Sequence, residues 1–324
     1  MTILIRDDAI DASPLAGKQV AIIGFGNQGR AQALNLRDSG VAVRIGLREG
    51  SPSAETAREE GLEVLEPVAA TQGADLVMLL APDEHLARIY DAIEPALRRG
   101  AALGFSHGLA IHFGLIVPRA DLDVVMVAPK GPGSALRRLY VEGGGMVALA
   151  AAAQDVSGSA WPLALAYAGA LGCGRAGIIR STFEEECVAD LFNEQAVVWG
   201  AVPDMLEAGF ETLVAAGVQP EIAYLECVSE LKLLADLVEA RGLAAMRENI
   251  SNTAELGGLF GGPRLVAEDA RKTMVAILDE IRNGSFARQL TEEADADYPR
   301  LREVRRRARE SLLERTRKSL AGDA

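Results

Sequence analysis

The stretch that decides the fold of this chain's first half is VAIIGFGNQGRAQALNLRDSG, residues 20–40. It begins with a short apolar run typical of a buried strand and continues as a segment of helical length. Between the two, Gly24, Gly26 and Gly29 form the G-x-G-x-x-G pattern in the place that a dinucleotide-binding loop requires. The first glycine allows the tight turn, the second admits a pyrophosphate, and the third lets helix and strand pack closely. We predict that this loop binds a dinucleotide; the alternative is a glycine-rich turn that binds nothing.

Strand and helix patterns alternate from residue 18 to about residue 182. Four further apolar runs each end at Gly, Pro or a polar residue, and they read VAVRIGL, DLVMLLAP, AALGFSHG and VVMVAPK. This alternation predicts an α/β fold of the Rossmann type, in which helices cover both faces of a parallel sheet. Beyond it, long helical patterns occupy residues 183–201, 203–216, 220–241, 266–282 and 298–320. We therefore predict two domains, a Rossmann-type domain at 1–182 and an all-α domain at 183–324.

The composition of the chain limits which classes of binding partner and which cellular compartment we expect. The formal net charge of −13 argues against nucleic acid and anionic membranes as main partners. The sequence begins without the apolar segment of a secretory signal, and no apolar run approaches the ~20 residues that span a bilayer. Cys173, Cys187 and Cys227 form no close-spaced pair, which favours a reducing, cytoplasmic environment over a disulfide frame or a zinc site.

The loop after the second predicted strand indicates which dinucleotide is bound. NAD sites usually place an acidic residue there for the ribose hydroxyls, but this strand runs into REGSPS, residues 48–53. Arg48, Ser51 and Ser53 offer one cation and two hydroxyls to a 2′-phosphate, which favours NADPH. Glu49 opposes this interpretation, because it could repel the phosphate or accept from a ribose hydroxyl. An ordinary polar loop is the remaining alternative.

Two pairs of acidic residues lie four positions apart on helical stripes that are otherwise apolar. One pair is Glu226 and Glu230 in ECVSELKLL, and the other is Asp190 and Glu194 in DLFNEQAV. The stripe of the first pair also contains Ile222, Leu233 and Leu237, which predicts an inward face. Ionised carboxylates are costly to bury without a partner, and Mg²⁺ prefers oxygen ligands, so the two pairs together predict bound Mg²⁺. For either pair alone, a solvated helix face is the alternative.

Three polar residues lie where ligands could reach them. His107 follows one predicted strand, Lys130 follows the next, and Ser251 lies in NISNTAE among the helices. Ligands of parallel α/β sheets bind outside the carboxyl ends of the strands, which makes His107 and Lys130 candidates for catalysis. A solvated loop residue is the alternative in each case.

These motifs together resemble a known family. GFGNQGRAQALNLRDSG, GLREGSPS, VMVAPKGPG, DLFNEQAV, ECVSELKLL and NISNTAE resemble, in order, the landmarks of ketol-acid reductoisomerase, over residues 15 to 290 approximately. The length is similar to the short form of that family, which has a Rossmann domain and one knotted all-helical domain. The resemblance implies conversion of 2-acetolactate or 2-aceto-2-hydroxybutyrate to 2,3-dihydroxy acids in branched-chain amino-acid biosynthesis. In that reaction Mg²⁺ drives an alkyl migration and NADPH reduces the product.

The resemblance also implies roles for single residues. Asp190 and Glu194 look like metal ligands for two Mg²⁺ ions, and Glu226 and Glu230 look like their counterparts from a neighbouring subunit. Ser251 resembles the contact to the substrate carboxylate. The implied catalytic groups are His107, Lys130 and Glu230, the last as a proton shuttle. The implied cofactor-binding residues are Gly24, Phe25, Gly26, Asn27, Gln28, Gly29, Arg48, Ser51, Ser53 and Gly133.

The resemblance further implies a homodimer or a higher homo-oligomer with shared active sites. The sequence departs from the family pattern at several positions near these motifs: Arg30, Leu109, Ala110, Ser134, Leu139, Ser229 and the segment EEADADYP. The acidic pairs remain, so these departures leave the substrate open more than the reaction type. Three alternatives stay open: a related enzyme acting on another 2-hydroxy-3-keto acid, a non-catalytic nucleotide-binding paralogue, and a metal-free 3-hydroxyacid dehydrogenase.

Overall fold

The computed structural model describes residues 4–322, and the chain divides into two compact units, Met1–Cys187 and Val188–Ala324. The first unit contains one sheet covered by helices. The second unit is helical, as the sequence pattern predicts. Within residues 4–322, no helix is both long enough and apolar enough to cross a membrane.

Among the residues that the structure describes, the first unit is built on eight strands. They are β1 Gln19–Ile23, β2 Ala42–Gly46, β3 Glu63–Leu65, β4 Leu76–Leu79, β5 Ala102–Phe105, β6 Asp123–Pro129, β7 Ala148–Gln154 and β8 Ile178–Arg180. Their order in the sheet is β3-β2-β1-β4-β5-β6-β7-β8, and neighbours run parallel except for β6 and β7, which are antiparallel. The predicted parallel α/β fold is confirmed with this one exception. The strand patterns of β3, β7 and β8 were not part of the prediction.

Helices cover both faces of this sheet. They are α1 Asn27–Asp38, α2 Ser53–Glu59, α3 Pro67–Thr71, α4 Asp83–Ile93, α5 Leu109–His112, α6 Gly133–Val141 and α7 Ala160–Ala170. Alternate residues of β1 enter two separate core clusters, Val20 and Ile22 in one, Ala21 and Ile23 in the other. Because successive side chains of a strand point to opposite faces, β1 is buried on both sides, as expected for a central parallel strand.

The glycine loop between β1 and α1 has the geometry that its motif predicts. Gly24 has a φ of 108°, and a Cβ there would lie 2.6 Å from the carbonyl oxygen of Leu80. A Cβ at Gly29 would collide with the carbonyl oxygen of Gly24. Both positions therefore require glycine, one for its backbone conformation and one for the close approach of helix and strand.

Helix α8, Phe183–Phe192, runs through the division between the units. The second unit continues with α9 Ala201–Ala215, α10 Pro220–Tyr224, α11 Leu231–Glu248, α12 Asn252–Leu265, α13 Glu268–Arg282, α14 Ser285–Asp295, α15 Pro299–Glu310 and α16 Leu312–Ala321. Up to residue 322, where the described part of the chain ends, this unit has two π-helical turns, Asn193–Val197 and Leu225–Ser229. The sequence patterns missed α12 and α14, and the single helix predicted at 298–320 is divided at Ser311, which caps α16.

Candidate active site

A cleft of about 680 Å³ lies at the carboxyl ends of β1, β2 and β4. The glycine loop forms one wall through Gly24, Phe25 and Gly26, and residues of α4 form another. A Cβ added at Gly26 would meet nothing within 4 Å, so the backbone is open to the cleft at this point. The size and position match what a dinucleotide needs, because such ligands bind beyond the carboxyl ends of parallel strands.

The loop after β2 forms the far side of the cleft. Arg48, Ser51 and Ser53 all border it. The backbone N–H of Ser51 donates to the carbonyl oxygen of Arg48 at 3.1 Å, which folds the segment into a tight turn. Glu49 instead borders a neighbouring cleft of about 610 Å³, which Arg48 and Ser51 also reach. Arg48, Ser51 and Ser53 can therefore contact a ligand in the first cleft, whereas Glu49 lines the second.

Three of the residues predicted to bind the cofactor join the glycine loop to the loop after β6. The side-chain oxygen of Asn27 accepts from the Ser134 backbone N–H at 2.8 Å. Gln28 Nε2 donates to the carbonyl oxygen of Gly131 at 2.8 Å. A Cβ at Gly133 would collide with the carbonyl oxygen of Asn27. These contacts hold the two loops together. The three residues, which the sequence predicted to bind the cofactor, therefore also have a structural role.

His107 and Lys130 meet on a third residue, Glu186 of α8. His107 Nδ1 lies 2.9 Å from Glu186 Oε2, and the backbone N–H of Gly108 donates to the same oxygen at 2.8 Å. Lys130 Nζ donates to Glu186 Oε1 at 3.2 Å. The Glu186 side chain is 1% exposed, whereas His107 and Lys130 are 16% and 34% exposed. We call these three side chains the Glu186 cluster.

The charges of the cluster keep Glu186 ionised. Burial raises the pKa of the Glu186 carboxyl, but the hydrogen bond and charge of His107, the charge of Lys130 and the Gly108 amide lower it by more. The net pKa lies below the ordinary value. A buried carboxylate that accepts from several donors is stable in its charged form, and it fixes the positions of those donors.

Sequence analysis missed Glu186, although a signal was present. Glu186, Asp190 and Glu194 follow one another at intervals of four, so Glu186 extends the acidic pair by one turn of α8. One carboxylate oxygen of Glu186 and one of Asp190 lie within 4.8 Å of each other. Glu194 lies one turn further, in the π-helical turn Asn193–Val197. Such π turns are rare in proteins, but those that occur are often at functional sites. The sequence pattern did not indicate one here.

The second acidic pair does not face a core within this chain. Glu226 and Glu230 are exposed, and so are their stripe neighbours Ile222 and Leu233, at 46% and 67%. The prediction of an inward face is therefore wrong for the single chain, because the apolar residues that suggested it lie on the surface. Glu226 itself lies in the π-helical turn Leu225–Ser229.

Ser251 is an exposed helix cap. Its Oγ accepts from the backbone N–H of Ala254 at 3.1 Å, at the first turn of α12. A hydroxyl that accepts in this way can still donate its hydrogen to another group, such as a carboxylate. The capping role explains the residue structurally, and it leaves the predicted substrate contact as a prediction.

The fold and the cleft define the chain as a two-unit, dinucleotide-binding α/β protein. Two family models match it: the acetohydroxy acid isomeroreductase NADPH-binding domain over residues 14–177, and the ketol-acid reductoisomerase C-terminal domain over residues 183–323. The chain belongs to the ketol-acid reductoisomerase family, and it is an enzyme of that family. This assignment excludes the metal-free 3-hydroxyacid dehydrogenase as an alternative.

Similar proteins agree with the assignment. The chain is 50% identical over 322 residues to a ketol-acid reductoisomerase (NADP(+)) from Kineococcus radiotolerans, covering 99% of this chain and 94% of the relative. A solved NADH-preferring ketol-acid reductoisomerase from an uncultured archaean matches with a TM-score of 0.96 and 42% identity, covering 99% of this chain and 98% of the other. A semialdehyde dehydrogenase NAD-binding protein from Cupriavidus necator shares the fold alone, with a TM-score of 0.63 and 22% identity, over 82% of this chain and 99% of the other.

Proposed function

We propose that the chain is a Mg²⁺-dependent ketol-acid reductoisomerase that converts 2-acetolactate or 2-aceto-2-hydroxybutyrate to the 2,3-dihydroxy acid with NADPH. The observation that supports this most directly is the Glu186 cluster. It places an imidazole and an ammonium group at the carboxyl ends of β5 and β6. Through Gly131, the residue after Lys130, the same region is bonded to the glycine loop of the cofactor cleft.

Oxygen ligands for Mg²⁺ are present in the residues predicted to bind it. Asp190 and Glu194 would hold the ions together with Glu226 and Glu230 of a neighbouring subunit. Carboxylate oxygens are the ligands that Mg²⁺ prefers, and a cation would offset the repulsion among these acidic side chains. When bound, Mg²⁺ polarises the substrate ketone and lowers the pKa of the neighbouring hydroxyl.

The protein's own groups would then orient and protonate the substrate. Glu186 holds His107 and Lys130 in fixed positions, so that neither must be reoriented when a negative charge develops on a substrate oxygen. Lys130 donates to such an oxygen, and Ser251 donates to the substrate carboxylate. Glu230 exchanges the proton that the alkyl migration moves.

The β2–α2 loop supports NADPH over NADH. Arg48, Ser51 and Ser53 border the cofactor cleft, where a 2′-phosphate would accept from all three. Glu49 borders the neighbouring cleft, so its carboxylate need not oppose that phosphate. The archaean protein named above prefers NADH, so this preference varies among similar proteins and has to be measured.

The second unit exposes many large apolar side chains, which supports a homodimer. They include Trp199, Leu225, Leu233, Leu234, Leu243, Leu256, Leu259, Phe260 and Leu265. A single chain seldom exposes so much apolar surface unless a partner covers it. Glu226 and Glu230 lie among these residues, so a second copy would bring the acidic pair into a shared active site.

The three free cysteines support a reducing, cytoplasmic compartment.

The decisive experiment is NADPH oxidation with 2-acetolactate, in the presence of Mg²⁺ and after its removal with EDTA. We expect turnover with Mg²⁺, none with EDTA, and recovery when excess Mg²⁺ is added back. Undiminished turnover in EDTA would contradict the metal requirement. Failure to turn over any 2-hydroxy-3-keto acid would contradict the proposed function, and turnover of a different acid alone would support the related enzyme.

A further inference from the structure

A chain of buried and part-buried hydrogen bonds lies behind the cofactor loop, and none of the predicted catalytic or metal residues belongs to it. The Tyr167 hydroxyl donates to Gln32 Oε1 at 2.8 Å. Gln32 Nε2 donates to Ser106 Oγ at 2.8 Å and to Gln28 Oε1 at 3.2 Å. Tyr167 and Gln32 are both 0% exposed. A buried polar chain of this kind costs free energy unless every member is bonded, and here each one is.

The two ends of this chain reach the loops that carry the Glu186 cluster. Ser106 precedes His107, and its Oγ donates to the carbonyl oxygen of Val127 in β6 at 2.9 Å. Gln28 lies in the first turn of α1, directly after the glycine loop, and its Nε2 donates to the carbonyl oxygen of Gly131, next to Lys130, at 2.8 Å. The chain therefore links the cofactor loop, the loop after β5 and the loop after β6.

Two backbone carbonyl oxygens fix the direction of every bond in the chain, because a carbonyl oxygen can only accept. Ser106 donates to Val127 and Gln28 Nε2 donates to Gly131, so both must accept from Gln32 Nε2. The Gln32 oxygen therefore faces Tyr167, whose hydroxyl donates to it and satisfies this buried acceptor. If the Gln32 amide turned over, Ser106 would have to donate to it and release the carbonyl oxygen of Val127. Gln28 would also have to turn over, and the carbonyl oxygen of Gly131 would lose its donor.

We infer that Tyr167 and Gln32 are positioning residues, which keep the glycine loop in register with the Glu186 cluster for hydride transfer. This inference rests on the proposed function. Errors of about 1 Å in the relative placement of reacting groups can cost roughly 100-fold in rate, so a fixed link between the two loops matters for catalysis. The cofactor phosphates depend on the loop's own amides, and their binding needs the link much less.

The first test is Tyr167→Phe, which keeps the ring and removes the hydroxyl. We expect kcat for reduction of the 2-keto acid intermediate to fall about tenfold, while the Kd of NADPH changes less than about threefold. With NADPH carrying deuterium at the transferred position, the isotope effect on kcat should rise, because hydride transfer becomes more rate-limiting. Tyr90→Phe is the matched control, since Tyr90 is also buried and its hydroxyl accepts from the Arg119 backbone N–H at 2.9 Å.

A double-mutant cycle with Gln32→Met tests whether Tyr167 acts through Gln32. If it does, adding Tyr167→Phe to Gln32→Met should cause no further loss of kcat, whereas independent roles would give multiplying losses. Ser106→Ala provides a smaller change in case Tyr167→Phe folds poorly. It removes the link at the other end, and we expect kcat to fall with a similar rise in the isotope effect.

The outcomes separate this inference from the proposed function. A wild-type enzyme that does not turn over 2-acetolactate contradicts the proposed function. An active wild type in which Tyr167→Phe and Tyr90→Phe behave alike contradicts the positioning role alone. So does a rise in the Kd of NADPH with an unchanged isotope effect, because that result would mean that the network only supports cofactor binding.

Discussion

Replacing Glu186 by Gln tests the effect of its negative charge in the active site without changing the size of the side chain. Glu186→Gln keeps the volume but removes the negative charge that His107 and Lys130 share. We expect kcat to fall about 100-fold, because His107 and Lys130 would no longer be held in place and a misplacement of about 1 Å can cost that much. The free energy of unfolding should fall by about 2 kcal/mol, as for a lost hydrogen bond to a charged group. Steady-state kinetics and urea unfolding measure the two effects.

Glu184→Gln is the control for this substitution, because Glu184 lies on the same helix and is exposed. It should leave both kcat and stability close to wild type. Full activity of Glu186→Gln would contradict the role given to the cluster. A loss confined to stability would make Glu186 a structural residue.

Ser51 and Ser53 decide the cofactor preference in our interpretation. Replacing both by Asp places negative charge where the 2′-phosphate would bind, and like charges in contact cost several kcal/mol. We expect the ratio of kcat/KM for NADPH to that for NADH to fall by at least about 100-fold. Replacing both by Ala removes the hydroxyls without repulsion and should have a smaller effect. A wild type that already prefers NADH would contradict our interpretation of this loop.

At the scale of elements, Glu293 of α14 holds the start of α15. Its Oε1 accepts from the backbone N–H groups of Arg300 and Leu301 at 2.7 and 3.0 Å, and its Oε2 from Arg300 Nε at 2.7 Å. The corner between the helices contains Asp297 and Tyr298, which have positive φ values of 63° and 59°. The cap thus stabilises a turn whose backbone is strained for residues other than glycine.

This cap predicts an acid-dependent loss of stability. The hydrogen bond from Arg300, and then those from the backbone N–H groups, lower the pKa of Glu293 below its usual 4.5. A lowered folded-state pKa means that the stabilisation is complete above pH 4.5 and is lost as the pH falls through the folded pKa. Glu293→Gln should therefore unfold at a lower Tm than wild type at pH 7, and the difference should shrink below pH 4.5. Glu292→Gln, an exposed neighbour, should show no such difference; a pH-independent gap would contradict the role of the charge.

The elements that the sequence predicted correctly are those with strong local patterns. The strand and helix around Gly24, Gly26 and Gly29 follow from hydrophobic runs and turn chemistry, and the structure has both. Strand β7 was missed because ALAAAAQ has no β-branched or aromatic residue, and alanine favours helices. Helix α12 was missed for the opposite reason, because its glycines and Pro263 disfavour a helix in isolation. In both cases tertiary packing overrides local preference.

The site was predicted in the same uneven way. His107 and Lys130 could be chosen from their places after strands, and the fold brings both to one carboxylate. That carboxylate, Glu186, could not be identified from its own position alone, because its partners lie 79 and 56 residues away in the chain. The hydrogen bonds that join Tyr167 and Gln32 could not be predicted for the same reason, since these residues are 135 positions apart in the sequence.

At the scale of the whole molecule, we propose that the exposed stripe that contains Glu226 and Glu230 forms the interface between two chains. Its apolar side chains are unfavourable in water and would be favourable when buried in an interface. The interface of an obligate homodimer buries upward of about 2,000 Å² of surface. If the second copy is related by a two-fold axis, the same stripe serves both subunits. Each active site would then combine Asp190 and Glu194 of one subunit with Glu226 and Glu230 of the other.

Shared sites predict complementation between two inactive variants. Asp190→Asn and Glu226→Gln, each inactive alone, should regain activity when the two are refolded together. In a mixed dimer both lesions fall in one site, and the other site receives only wild-type residues. Random pairing makes about half of the dimers mixed, with one intact site of two, so recovery should approach about one quarter of the wild-type rate. Turnover of 2-acetolactate after co-refolding measures it.

The matched control is a mixture of Asp190→Asn with Glu194→Gln. Both lesions then affect the ligands that one chain supplies, so each site of the mixed dimer keeps one lesion and activity should stay absent. Recovery in this control would mean that Asp190 and Glu194 serve different sites. Failure of the first pair to complement, in mixed dimers verified by two different affinity tags, would mean that each chain completes its own site. In that case the exposed acidic stripe would need another explanation, because no second subunit would contribute its carboxylates to the metal site.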